Sequence, residues 1–164
     1  MTNVGFYGGS EFRDLGPASD MRTFFGCVQL AVSHFPTGGD GGLLTDRLYR
    51  RYLRLDELEP ANSMILKARN ILSEIPTATI DWMALGCGQS TTRFEFSSKT
   101  VADVVKRYLE SALDLISNAR GFEKRFHIYK PVITIITDTP RFYVESNRPL
   151  ADYDALQGEP MWLR

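Results

Sequence analysis

The sequence has 164 residues, with 19 lysines and arginines against 20 aspartates and glutamates and a formal net charge of −1. This length fits one domain, and a hydrophobic fraction of 43% is ordinary for a globular protein. A nearly balanced charge gives no sign of a nucleic-acid partner or a membrane-surface partner, and we expect neither.

The first residues and the two cysteines indicate the cellular compartment in which the protein is expected. Residues 1–6 contain no basic segment followed by an apolar one, so no secretory signal is predicted. No apolar run approaches the roughly 18 residues of a membrane span. Cys27 and Cys87 are therefore expected to be reduced thiols, and the protein is expected to be cytoplasmic.

The first predicted elements are a strand and a helix. Residues 4–7 form a short β-prone run that two glycines close. From Ser19 or Asp20, which are good N-caps, apolar residues recur at steps of three and four and predict a helix that Pro36 ends. The glycine-rich stretch 38–42 lacks the preceding strand and the following Lys-Ser/Thr pair of a phosphate loop, so a connector is predicted there.

Residues 43–55 carry a basic helical face. The arginines that form it recur at steps of three and four: Arg47, Arg50, Arg51 and Arg54. One interpretation is a solvated face that pairs with the acidic residues just downstream, which are Asp56, Glu57 and Glu59. The other interpretation is a patch that binds an anion or a protein partner.

The second predicted helix is the clearest periodic segment. Its apolar stripe runs over residues 58–75, Asp56 with Glu59 resembles a capping box, and Pro76 ends it.

Two strands and a turn are predicted next. Residues 78–83 alternate, with Ile80 and Trp82 on one face. Residues 86–90 lack the residue order of a nucleophile elbow and are interpreted as a turn before a strand at 92–96.

The C-terminal part is predicted to contain one helix and then strands. The helix starts near Thr100, with Asp103 as its capping-box partner, and ends at Gly121. Three β-prone runs follow at 125–130, 132–137 and 141–145. Together the elements predict a single α+β domain over residues 1–164, in which a mostly antiparallel sheet of five to six strands is packed by three main helices.

Residues suited to catalysis are scarce. A metal site needs closely spaced His, Cys, Asp or Glu, and neither His34 nor His127 has such neighbours, so no metal, cofactor or catalytic site is predicted. Two alternatives stay open. Cys87 could act as a nucleophile with His127 brought near by folding, or two carboxylates could pair in space, and either would make the protein a small hydrolase or transferase.

An acidic, partly aromatic set of residues lies near the C-terminus. Its members are Asp138, Glu145, Asp152, Asp154, Tyr143 and Tyr153. Such a surface suits a basic protein partner by charge complementarity. Ordinary solvation of turn residues is the alternative interpretation.

Several segments also carry a resemblance to a known family. They are Val-Gly-Phe-Tyr at 4–7, the stretch 16–25 with its glycine, acidic residue and paired phenylalanines opening a helix, Leu-Tyr at 48–49, and Ile-Asp-Trp at 80–82. In order and spacing they resemble the immunity protein seventy family of bacterial polymorphic toxin systems, which includes CdiI-type immunity proteins of contact-dependent growth inhibition.

The resemblance implies an α+β fold and a binding function without enzyme activity. The expected partner is a cognate toxin domain of the CdiA C-terminal type, held inactive in the cytoplasm of the producing cell. The acidic C-terminal set suggests that this toxin is a nuclease. We expect the residues of this set to be the ones with which the chain binds the toxin. A regulatory module whose basic helical face binds an anionic partner is a further alternative.

Overall fold

The computed structural model describes residues 3–8, 11–36, 41–50, 52–87, 92–126 and 135–136. Its strands are β1 (Asn3–Gly8), β2 (Glu11–Pro17) and β3 (Ile135–Ile136), and its helices are α1 (Ala18–Val32), α2 (Leu58–Ser73), α3 (Val101–Val104) and α4 (Lys106–Phe126). Leu43–Leu48 forms a π-helical segment, and Leu55–Glu57 and Thr77–Thr79 form 3-10 turns.

The sheet is much smaller than the sequence predicts. It consists of the antiparallel β1–β2 hairpin, with a bulge between Val4 and Gly5, and the two-residue β3 on the other side of β1. The predicted sheet of five to six strands is therefore wrong for the described part of the chain, which is mainly helical.

The missing strands have particular local causes. Residues 78–83 form turns because the Asp81 carboxylate accepts the Ala84 N–H at 3.2 Å and the Asp81 carbonyl accepts the Leu85 N–H at 3.3 Å. Residues 92–96 are not part of a β-ladder. Residues 125–126 continue α4, and the predicted strand at 141–145 lies outside the described residues.

The long helices form where the apolar periodicity predicts them. The Thr100–Asp103 capping box is confirmed, because each residue's side chain accepts the other's backbone N–H at 3.2–3.3 Å. Three predicted boundaries are wrong. Helix α1 begins at Ala18 without a side-chain cap, the Asp56–Glu59 box is replaced by Glu57 accepting the Arg54 N–H, and α4 continues past Gly121.

Aromatic rings hold the sheet against the helices. The Phe24 ring stacks on Tyr108 with centroids 5.2 Å apart and meets Phe6 of β1 edge-on at 6.3 Å. The Tyr108 hydroxyl donates to the Leu15 carbonyl at 2.7 Å, which ties α4 to the end of β2. The core thus lies between the β1–β2 hairpin and the helices α1, α2 and α4. None of the described helices combines the length and apolar character that a membrane span requires.

Candidate interaction surface

The residues predicted to bind a partner lie outside the described part of the chain. They are Asp138, Glu145, Asp152, Asp154, Tyr143 and Tyr153. The acidic surface therefore stays a prediction.

Arg47 of the basic helical face is engaged within the fold. Two Arg47 guanidinium nitrogens donate to the two Glu57 carboxylate oxygens at 3.0 and 3.1 Å, and the same guanidinium lies over the Tyr52 ring. Burial alone would raise the pKa of Glu57, but hydrogen bonds from Arg47 and from the Arg54 backbone hold it below its usual value. Pairing with a downstream acid is thus confirmed for Glu57, and Arg51 lies outside the described residues.

Both thiols are buried, and no disulfide joins them. Burial, followed by the influence of Cys87, raises the pKa of Cys27 to about 12, so this sulfur stays a thiol near neutral pH. Cys87 is 7% exposed, and its suggested partner His127 lies outside the described residues. His34 is exposed and hydrogen-bonds through Nδ1 to the Leu30 carbonyl at 2.9 Å.

Metal ligation gains no support from the described part of the chain. There, no group of three or more His, Cys, Asp and Glu side chains is placed to hold an ion.

The carboxylate of Asp20, which the sequence suggests only as a helix cap, is buried and binds the backbone of a distant segment. Asp20 accepts the Arg93 backbone N–H through Oδ2 at 2.8 Å, while its Oδ1 is buried without a hydrogen-bond partner. Burial raises the pKa of Asp20, although hydrogen bonds from the Arg93 backbone and the Thr92 side chain act in the opposite direction. Burial, and then the charge of Asp20, also raises the pKa of Tyr108. Asp20 thus anchors the segment 92–96 to α1.

An accessible, partly apolar depression lies next to that segment in the chain. We call it the Trp82 groove, a depression of about 520 Å³ lined by Pro76, Thr77, Ala78, Ile80, Trp82, Phe96, Ser97, Ser98 and Lys99. The Trp82 and Phe96 rings meet at a centroid distance of 4.9 Å, and the Trp82 indole N–H donates to the Thr77 carbonyl at 3.3 Å. Both contacts fix the indole in place.

Backbone hydrogen bonds hold the two walls of the groove together. The Thr77 N–H donates to the Lys99 carbonyl at 3.1 Å, and the Val101 N–H donates to the Ile75 carbonyl at 2.9 Å. These bonds accompany an isolated antiparallel bridge between Pro76 and Thr100. The groove is therefore formed before any partner arrives.

The surface around the groove exposes large apolar side chains. Met83, next to Trp82 in the chain, is 57% exposed, and Phe96 is 37% exposed. Among the described residues, these are the exposed large hydrophobic side chains. A single exposed apolar residue is ordinary, but a groove lined by Trp82 and Phe96, with the exposed Met83 adjacent in sequence, is typical of an interaction site.

Two of the polar residues that line the groove are Thr77 and Lys99. Thr77 is 5% exposed, and its Oγ1 is buried without a hydrogen-bond partner. Lys99 is the charged side chain among the described residues that line the groove, and no described carboxylate lines it. The sequence pattern does not indicate this site, because it predicts two separate strands at 78–83 and 92–96.

Comparisons with known proteins return no match. No protein-family model, curated protein or solved structure is significantly similar to the chain.

Proposed function

We propose that this protein is a cytoplasmic immunity protein that binds the C-terminal toxin domain of a contact-dependent growth inhibition effector. The observation that carries the proposal is the apolar surface formed by the half-buried Trp82 and the exposed Met83 and Phe96. Aromatic residues and methionine are enriched at the centres of protein–protein interfaces. The proposal also rests on the resemblance carried by residues 4–7, 16–25, 48–49 and 80–82.

The mechanism that we propose is occlusion of the toxin's active site. An interface of standard size buries about 1,600 Å² in total, which a chain of this length can offer on one face. The preformed groove would lower the ordering cost of binding, because its aromatic pair is already packed and its walls are already hydrogen-bonded. The acidic C-terminal set would add attraction to a basic nuclease and speed association.

Co-expression tests this proposal directly. The toxin domain encoded by the reading frame immediately upstream would be expressed with and without this chain. We expect the chain to restore growth and to co-elute with that domain in size-exclusion chromatography. A toxin domain from an unrelated inhibition system is the control, and it should neither be neutralised nor bound. Absence of both rescue and complex with the cognate domain would overturn the proposal.

A further inference from the structure

We infer that the Trp82 groove receives an apolar side chain flanked by a carboxylate, supplied by an extended segment of the protein partner. The inference rests on the proposed function for the identity of that partner, and it adds the chemistry by which the partner is recognised. It depends on two properties of the groove: its apolar floor and its charge.

The apolar floor sets the size and nature of the inserted group. The Trp82 and Phe96 rings are tilted by 51°, so they form an open wedge and not a closed stack. A volume of about 520 Å³ accommodates one large side chain together with its flanking backbone. Ile80 and Pro76 complete an apolar wall on the same depression. An aromatic or long aliphatic side chain therefore fits the floor.

The charge of the groove selects among possible segments. Lys99 supplies one positive charge, and the other described lining residues are apolar or carry hydroxyl groups. Lys99 also forms no ion pair with a described residue, so its ammonium group is available to a ligand. Complementarity favours a carboxylate beside the apolar side chain and disfavours a basic one.

A pair of peptides tests this chemistry without the toxin. The full chain labelled with ¹⁵N would be titrated with acetyl-Gly-Asp-Phe-Asp-Gly-amide and with acetyl-Gly-Lys-Phe-Lys-Gly-amide. We expect the acidic peptide to shift the Trp82 indole and the Thr77 amide signals, and to bind about fivefold more tightly than the basic one. Added salt should reduce this preference. Equal affinity for the two peptides, or shifts confined to other surfaces, would overturn the inference.

Variants in the toxin complex separate this inference from the proposed function. Phe96→Ala and Lys99→Glu should each weaken toxin binding by about fivefold or more. Lys67→Glu on α2 makes the same charge change at an exposed lysine away from the groove, so its Kd should match that of the wild type. If the wild type binds toxin and the two groove variants bind equally well, the groove inference is wrong and the proposed function stands. If the chain binds the acidic peptide but no toxin, the proposed function is wrong and the chemistry of the groove stands.

Discussion

The backbone amide of Arg93 donates to the carboxylate of Asp20 across 2.8 Å, joining two residues that are 73 positions apart. Asp20 belongs to the first turn of α1, whereas Arg93 lies in the irregular segment that leads to Phe96. One buried carboxylate therefore fixes the position of the segment that carries one wall of the Trp82 groove.

The pKa of Asp20 predicts a dependence of stability on pH. Its folded pKa is raised above the ordinary value of 3.8, so the folded state binds more protons than the unfolded state between those two values. The free energy of unfolding contributed by Asp20 should then be greatest below about pH 4 and should fall as pH rises through the folded pKa. Urea unfolding of the wild type and Asp20→Asn across this range measures the difference. Parallel pH profiles of the two proteins would contradict the prediction.

The Arg47–Glu57 pair is predicted to stabilise the entry into α2. Glu57→Gln should lower the free energy of unfolding by about 1–3 kcal/mol near neutral pH, because it leaves a partly buried guanidinium with a weaker acceptor. This contribution should shrink as pH falls through the lowered folded pKa of Glu57. Asp46→Asn is the control, since its pair with Arg50 is exposed and should be worth about 0.5 kcal/mol or less.

Two threonines of the same 3-10 turn should respond oppositely to valine. Thr77→Val removes a buried hydroxyl without a partner and should raise the free energy of unfolding by about 1 kcal/mol. Thr79→Val removes a hydroxyl that donates to the Pro76 carbonyl at 2.7 Å, so it should be neutral or mildly destabilising. Chemical denaturation of both variants checks this, and a destabilised Thr77→Val protein would show that the hydroxyl has a stabilising role in the free chain.

Two glycines should differ sharply when replaced by alanine. A methyl group at Gly5 would overlap the Arg13 carbonyl oxygen across the β1–β2 hairpin, so Gly5→Ala should disrupt the pairing at the bulge. Gly121 lies within α4 with open space around it, so Gly121→Ala should stabilise the helix by about 0.5–1 kcal/mol. Thermal unfolding followed by circular dichroism distinguishes the two outcomes. Equal effects would contradict this account of the hairpin.

Local patterns in the sequence predict the helices well. The stripe over residues 58–75 and the Thr100–Asp103 capping box both depend on spacings of three and four residues, which the α-helix itself imposes. They need no knowledge of distant contacts. The same local reasoning fails at Gly121, because a glycine inside a helix costs only about 1 kcal/mol relative to alanine and therefore does not have to end it.

Contacts between residues that are far apart in the sequence cannot be predicted from local patterns. Nothing in the chain order indicates that Asp20 meets the Arg93 backbone, because one hydrogen bond between distant residues leaves no periodic signal. The alternation of Ile80 and Trp82 favours a strand, yet the Asp81 side chain closes a turn there. Consequently the sequence places Trp82 and Phe96 in two predicted strands and does not indicate the surface that they share.

The bridge between Pro76 and Thr100 affects which substitutions the sequence can accept. The segment 77–99 begins where α2 has ended and ends just before α3 begins. Its two ends lie side by side, because Pro76 pairs with Thr100. Substitutions of exposed residues in this segment can therefore accumulate without disturbing the helices, provided that the hydrogen bond between Asp20 and the Arg93 backbone is kept. For the proposed toxin-binding function, this arrangement would let specificity change while the scaffold is inherited intact.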